Sequence, residues 1–311
     1  MKKMHSMGVG TQMTEVPSKT PSALQNVGWI IGCLCIAALM AAAGSDRGQT
    51  YAGLPLFALC GAVCFAIQWL AFVPAWVSRT ERYFDLTGGF SFLSATAVAV
   101  GLSSQVDIRS WLVVLLIGVW ALRLSSFLFL RIREAGFDRR FVNLKRSYSR
   151  FLMTWTLQGL WVYLTLAPAL VVLTGKNHAS LDLLTLGGVM LWCVGFFVEV
   201  IADRQKSEFN AQPENREMFI RSGLWSLSRH PNYLGEILLW LGIGIISIPI
   251  LESWQWAALI SPIFVYVQLT KVSGIPLLEG RERKKWGDDP EYQNYIARTP
   301  ALWPRLPRLS K

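Results

Sequence analysis

Apolar residues along this chain gather into long blocks instead of alternating with polar ones. Each block runs about 17 to 25 residues, which at about 1.5 Å per helical residue crosses the approximately 30 Å hydrocarbon core of a bilayer. The blocks fall at residues 26–43, 53–76, 88–104, 110–130, 151–174, 182–202, 233–250 and 254–273, the third short and rich in Ala and Gly. The pattern predicts an all-α fold, a polytopic integral membrane helix bundle. Residues 1–22 are polar and rich in Ser, Thr and Gly. They predict a disordered tail and not a cleaved signal peptide, because no small-residue cleavage site follows a short apolar core.

Composition agrees with the blocks. The chain has 311 residues, 52% hydrophobic and 16% charged, with 14 tryptophans, against roughly 45 to 50% and about 25% in soluble domains. A water-soluble globule, a disordered chain, a disulfide-stapled secreted fold and a nucleic-acid-binding domain are all disfavoured. The formal charge of +10 is explained by topology, since short loops rich in Lys and Arg stay on the cytoplasmic side. With the N-terminus inside, the external loops hold only Arg47, Arg109 and Lys176, while the internal ones hold the cluster from Arg131 to Arg150, the stretch from Arg204 to Arg229 and the tail from Lys271. The asymmetry predicts a multi-pass membrane protein with both termini in the cytoplasm.

Cysteines add little. Cys33, Cys35, Cys60, Cys64 and Cys193 all lie in predicted spans and read as small apolar packing residues. Only His5, His178 and His230 could join them, so no metal is expected.

Polar side chains inside the spans carry more, because such groups are costly in a membrane and mark function. Gln68, Arg123, Gln158, Glu199, Asn232, Glu236, Gln268 and Lys271 all fall in the cytoplasmic half of their spans. That segregation predicts a polar chamber open to the cytosol and sealed toward the outside. Glu199 and Asp203 share a helix face, as do Asn232 and Glu236, and Trp120, Arg123 and Phe127 form one stripe. Two readings stay open: Arg123, Glu199 and Asp203 line the chamber, or they form an interhelical ion pair that holds the bundle. Gln158 alone reads as a helix-to-helix hydrogen bond.

The loops complete the candidates. Asp203 and Lys206 begin the segment after the sixth span, and Arg229 and His230 precede Pro231 at the start of the seventh. Pro231 fixes the chain there, so the free amides of the first turn, with Arg229 beside them, suit a phosphate or carboxylate. After the eighth span the basic stretch with Glu279 and Arg281, followed by Tyr292 and Tyr295, reads either as a membrane-surface helix or as a clamp on a polyanionic cofactor. No Gly-rich dinucleotide loop, Walker motif or nucleophile elbow is present.

The string Arg229-His230-Pro231-Asn232-Tyr233-Leu234-Gly235-Glu236, preceded by Gly223-Leu224-Trp225 and followed by a Trp-Gly, paired-Tyr, Arg-Thr-Pro tail, resembles the C-terminal domain of steroid 5-alpha-reductases, closest to a bacterial membrane branch of uncharacterised function. Asp85-Leu86-Thr87-Gly88 and Trp120-Ala121-Leu122-Arg123-Leu124 are weaker marks of the same kind. Sterol reductases carry a near copy of the string, and isoprenylcysteine carboxyl methyltransferases a related one.

The resemblance implies an NADPH-dependent reductase in a seven-helix core, residues 52–311, to which the first span, residues 23–51, is an addition. It implies a cofactor site at Arg123, Arg131, Glu199, Asp203, Lys206, Arg229, His230, Asn232, Tyr233, Glu236, Glu279, Arg281 and Tyr295. Trp76, Trp120 and Gln158 are the candidates for a steroid-like lipophilic substrate. In the family a Glu and a Tyr polarise the enone. Here Trp120 stands at the Tyr position, which leaves Glu81, Asp85 and Tyr83 as candidate acids. The expected reaction is hydride addition to the beta carbon of a 3-oxo-4-ene taken from the bilayer, with the ketone hydrogen-bonded by one of these groups. The alternative is an S-adenosylmethionine-dependent membrane methyltransferase.

Overall fold

The computed structural model of the chain describes residues 22–304. The expected tail, residues 1–22, lies outside them apart from Ser22, which caps α1. The helices are α1 (Ala23–Gly44), α2 (Leu56–Val77), α3 (Phe84–Leu102), α4 (Ile108–Ala135), α5 (Tyr148–Thr174), α6 (Leu183–Ala211), α7 (Pro231–Ser247), α8 (Ile260–Val267), α9 (Ile275–Trp286) and α10 (Pro290–Arg298). A 3-10 stretch, Ser253–Leu259, leads into α8, and a π turn, Gln268–Val272, follows it. Among the described residues, eight helical stretches are long and apolar enough to cross a membrane. The fold is therefore the all-α polytopic bundle that the block pattern predicts. A short hairpin, β1 (Thr50–Tyr51) and β2 (Leu54–Pro55), joins α1 to α2.

Eight crossings return the chain to the side on which it started. The described N- and C-terminal ends therefore share one end of the bundle with the loops 78–83, 136–147 and 212–230 and with α9 and α10. We call this the charged end.

Two helices outrun the membrane. α4 continues to Ala135, and α6 continues to Ala211 through Asp203 and Lys206, residues that the hydropathy pattern assigns to a loop. The segment 203–211 carries the good helix formers Arg204, Gln205, Lys206, Glu208 and Ala211 and meets no proline before Pro213. Arg204 and Glu208 also pair four residues apart at 2.7 Å. Hydropathy marks where a helix leaves the apolar layer, and nothing obliges it to end there.

α5 forms the axis. It is apolar on all faces and buried almost throughout from Phe151 to Thr174, as a helix surrounded by other helices must be. α1, α2, α3, α7 and α8 pack around it. Arg109, which the charge pattern assigns to an external loop, is instead fully buried at the start of α4, opposite the charged end. Its guanidinium donates to Ile246 O and Ser180 O, both at 2.7 Å. It thus satisfies a carbonyl left free by the last turn of α7, which would otherwise lack a partner in an apolar setting.

The closest packing in the bundle lies between α6 and α7. Gly188 and Gly195 on α6 face Gly242 and Gly235 on α7, each pair seven residues apart along its helix. A Cβ on Gly195 would stand 2.5 Å from Leu239 N and 2.6 Å from Gly235 O. One on Gly235 would stand 2.5 Å from Gly195 O and 2.6 Å from Glu199 N. The two backbones therefore touch directly, the arrangement small residues permit between membrane helices.

Gly235→Ala should destabilise the bundle by about 1–3 kcal/mol, the usual cost of overpacking. Gly187→Ala, which points into open space, should leave stability unchanged or slightly raised. Thermal unfolding of the two variants in detergent measures the difference.

Candidate functional site

At the charged end, Arg123 of α4 reaches across to two carboxylates of α6. Nη1 donates to Glu199 Oε1 at 2.6 Å, and Nη2 donates to Asp203 Oδ2 at 2.7 Å. Glu199 and Asp203 are one helical turn apart, so the flat guanidinium fork spans both. The indole N–H of Trp120, one turn back from Arg123, donates to Glu199 Oε2 at 3.2 Å. Glu199 is 2% exposed and Asp203 8%. Buried carboxylates of this kind need partners, and Arg123 supplies one to each.

The start of α7 adds three groups. Pro231 occupies the first helical position, where its missing N–H costs nothing. From there Asn232 places its side chain beside Asp203. Glu236, one turn deeper, enters the field of Glu199, Asp203 and Arg123. Glu199 follows Gly195 by one turn, and Glu236 follows Gly235 directly. The glycine contact between α6 and α7 therefore sets how near these two carboxylates lie. Tyr233 lies within electrostatic range of Glu236 and Asp203 and of Arg131 and Arg140.

A second ring of charge borders the first. Asp85 Oδ2 lies 3.1 Å from Arg140 Nη2, and Asp138 Oδ2 accepts from Arg140 Nε at 2.7 Å. Arg131 lies within electrostatic range of Asp138, Asp203 and Lys206. Lys206 rests on the Trp225 ring, 4.4 Å from its centre, and comes within range of Glu282 on α9. Among the described residues, no carboxylate is ion-paired with Arg131, Lys206 or Arg281.

A third group fastens α9 and α10 to the start of α7. Arg229 donates to Glu279 Oε1 at 2.7 Å and to Ile296 O at 2.9 Å. Its backbone N–H donates to Pro300 O. His230 Nε2 lies 3.4 Å from the same Glu279 oxygen, and its ring stacks on Tyr233. The Tyr295 hydroxyl donates to Trp225 O at 2.7 Å.

The structure thus gathers Asp85, Arg123, Arg131, Glu199, Asp203, Lys206, Asn232, Tyr233 and Glu236 into one region. It places the other candidates differently. Arg229, expected at a phosphate, holds the carboxylate of Glu279, so both are engaged within the chain, as are His230 and Tyr295. Glu81 is buried with both oxygens occupied: it accepts from Asp138 N at 2.9 Å and pairs with Lys145. Tyr83 is exposed and stacks on Phe129, and its hydroxyl has no hydrogen-bond partner among the described residues. Trp120 is buried against Phe92 and Trp240. Trp76 lies beneath Arg79 in a separate aromatic cluster with Phe72 and Tyr148. Gln158 binds Phe84 O at 3.1 Å.

Sequence reasoning missed Arg140, Asp138 and Lys145. They stand in the cluster from Arg131 to Arg150, whose cations the charge pattern ascribes wholesale to topology. A carboxylate two residues from an arginine, as Asp138 is from Arg140, is the signal that could have singled them out. Among the described residues, no group of three or more His, Cys, Asp or Glu side chains is arranged to hold a metal ion.

Comparison with known proteins adds two similarities. The family model described as a protein of unknown function (DUF1295) matches residues 71–299. Steroid 5-alpha-reductase DET2 of Gossypium hirsutum is 32% identical over 71 residues, 23% of this chain and 25% of that protein. The match therefore spans about a quarter of the length of the curated relative. No solved structure matches the chain.

Replacing Arg123 by Met should cost about 3–5 kcal/mol, the usual penalty for leaving buried charges without a partner. Adding Glu199→Gln to that variant should restore part of the loss. Chemical unfolding of the single and double variants reads both changes, and an Arg123→Met protein of wild-type stability would show the clamp to be unimportant for folding.

Proposed function

The chain belongs to the family described as a protein of unknown function (DUF1295), and from that premise we propose that it is a membrane reductase of the steroid 5-alpha-reductase type. It takes electrons from NADPH to reduce the 4,5 double bond of a lipophilic 3-oxo-4-ene. The charged end faces the cytoplasm, as the distribution of Lys and Arg favours.

One observation carries this reading. Glu236, a carboxylate with no hydrogen-bond partner among the described residues, shares a rim with two cations that have no ion-pair partner, Arg131 and Lys206. A dinucleotide has complementary needs: its phosphates require cations that are not already neutralised, and its amide and ribose hydroxyls require acceptors. The donor set fits. Arg131 and Lys206, with Arg281 from α9, hold the phosphates. Asn232 and Glu236 hold the carboxamide end. Arg123 keeps Glu199 and Asp203 in place behind them. When bound, NADPH supplies the hydride. Because Arg229 and His230 are spent on Glu279, their part is to hold α9 and α10 over this rim.

The substrate ketone needs a hydrogen-bond donor that strengthens as charge develops on its oxygen. Of the three candidates, Glu81 and Asp85 are engaged by Lys145 and Arg140. Tyr83 alone keeps its donor free, so we assign it the polarising role. It stands at the start of α3, exposed, two residues before Asp85 of the charged ring and stacked on Phe129.

Thermal unfolding of the detergent-purified chain with NADPH, and separately with S-adenosylmethionine, tests the cofactor, since a ligand that binds only the folded state must stabilise it. NADPH alone should raise Tm, and the rise should shrink in Glu236→Gln. Stabilisation by S-adenosylmethionine alone would replace the reductase by a methyltransferase. Tyr83→Phe should lower turnover of a 3-oxo-4-ene steroid by about a hundredfold or more with the NADPH shift unchanged. Undiminished turnover would remove Tyr83 from the mechanism.

A further inference from the structure

At the end of the bundle opposite the charged rim, α1 stops at Gly44, α2 starts at Leu56, and the 3-10 stretch Ser253–Leu259 packs against the end of α1. Together they border an open groove of about 380 Å³, within the range of about 300–1,000 Å³ that small-molecule sites occupy. Ala41 and Ala42 of α1, with Pro55 and Ala58, form an apolar wall, and Asp46 and Trp254 also line the groove. Trp254 is 72% exposed, and Trp256 is 50% exposed. Exposed indoles of this kind mark the boundary between membrane and water. The groove therefore lies at headgroup level, in the leaflet away from the charged end.

The charges of the groove are held in place. Gln255, which is 2% exposed, donates from Nε2 to the Asp46 carbonyl at 2.6 Å, and the Trp254 N–H donates to Asp46 Oδ2 at 3.2 Å. Hydrogen bonds from the Ser253 side chain and from this N–H hold the Asp46 carboxyl below its usual range, so it is ionised at neutral pH. They fill only part of a carboxylate's roughly four acceptor positions, and among the described residues no cation is ion-paired with Asp46. Arg47, the next residue, is directed to Glu252, with Nη1 3.7 Å from Oε2. That separation is too long for a hydrogen bond, and the Arg47 side chain stays 62% exposed. Asp46, Arg47 and Glu252 together leave one negative charge in excess.

We propose that this groove holds the headgroup of an ethanolamine phospholipid, a membrane lipid that carries a primary ammonium beside a phosphate. The ammonium donates to the Asp46 carboxylate next to Trp254, the phosphate lies toward Arg47, and an acyl chain follows the alanine wall. The zwitterion answers the neighbouring charges of Asp46 and Arg47, and its ammonium supplies the N–H donors that the carboxylate still accepts. A choline headgroup has no N–H to give, and quaternary ammonium ions are recognised by cages of several aromatic rings, whereas a single ring, Trp254, lines this groove. A glycerol headgroup is anionic and meets the excess negative charge. A free amine leaves the wall of Ala41, Ala42 and Ala58 uncovered.

The test needs neither NADPH nor a steroid, so it stands apart from the reductase reading. The delipidated chain in detergent is titrated with dioleoyl phosphatidylethanolamine, phosphatidylcholine and phosphatidylglycerol, and the rise in Tm is followed, since a lipid that binds only the folded state must stabilise it. The ethanolamine lipid should act at about tenfold lower concentration than the choline lipid, the worth of one charge-assisted hydrogen bond, and the glycerol lipid should be weakest. Asp46→Asn keeps an oxygen for the Trp254 N–H and removes the charge, so it should bring that ratio toward one with the lipid-free Tm unchanged. Ala42→Trp, at an exposed position of the wall, fills the groove and should abolish the preference too; it decides should Asp46→Asn fail to fold. Equal action of the ethanolamine and choline lipids on the wild type, a preference for the glycerol lipid, or an ethanolamine preference that survives either variant overturns the proposal. Equal stabilisation by water-soluble glycerophosphoethanolamine would overturn it in favour of a free amine, and a dimer that dissociates in Ala42→Trp would give the groove to a second copy of the chain.

Discussion

Direct contact between the backbones of α6 and α7 is the constraint on which the charged site depends. A helix normally keeps its neighbour 8–10 Å away with intervening side chains. Gly195 and Gly235 remove those side chains, and the carbonyl of each lies where the other's Cβ would be. Glu199 and Glu236 stand immediately beside this contact, on opposite helices, so neither can retreat into lipid. Two carboxylates forced together in an apolar layer repel, and the arrangement holds only with cations and donors supplied from elsewhere. Arg123 and Trp120, from α4, supply them. Packing between two helices thus sets the position of a third.

The two ends of the bundle use buried charge differently. Arg109 is fully enclosed and spends its donors on backbone carbonyls, one of them in the last turn of α7. It completes the secondary structure where no water is available. At the charged end, ionic groups are more numerous and only some are neutralised. Arg140 is divided between Asp85 and Asp138, Glu81 is closed by Lys145, and Glu279 is shared by Arg229 and His230. These contacts fasten the 136–147 loop and the C-terminal helices to the bundle. Among the described residues, Arg131, Lys206, Arg281, Glu236 and the Tyr83 hydroxyl have no such partner and remain available to bind something else.

Much of this was legible in the sequence because membrane burial leaves a coarse record. The eight blocks locate the crossings, as α1 over Ala23–Gly44 and α5 over Tyr148–Thr174 show, and the one-sided placement of polar residues marks the end at which Arg123, Glu199, Asp203 and Glu236 gather. The spacing of Glu199 to Asp203 placed both on one face. What could not be read was who partners whom. Arg229 beside a helix start reads as an anion site, and so it is, but the anion is Glu279, fifty positions along the chain. Glu81 and Asp85 read equally as acids, and only the tertiary fold shows Lys145 and Arg140 closing on them. Arg109 read as a loop cation because charge counting ignores where a carbonyl lacks a donor.

Gln158 shows why the distinction between engaged and unengaged groups matters more than residue type. From the sequence it is an ordinary interhelical hydrogen bond, and the structure supplies that bond, to Phe84 O. Yet an amide has two ends, and satisfying one commits the other. Phe84 O only accepts and so demands the NH2 group, which leaves the oxygen of Gln158 facing the interior without a partner among the described residues. The same accounting identifies Glu236 at the rim. In a medium without water, every polar atom must be answered by the chain or by a ligand. Those the chain does not answer indicate where a ligand is to be sought.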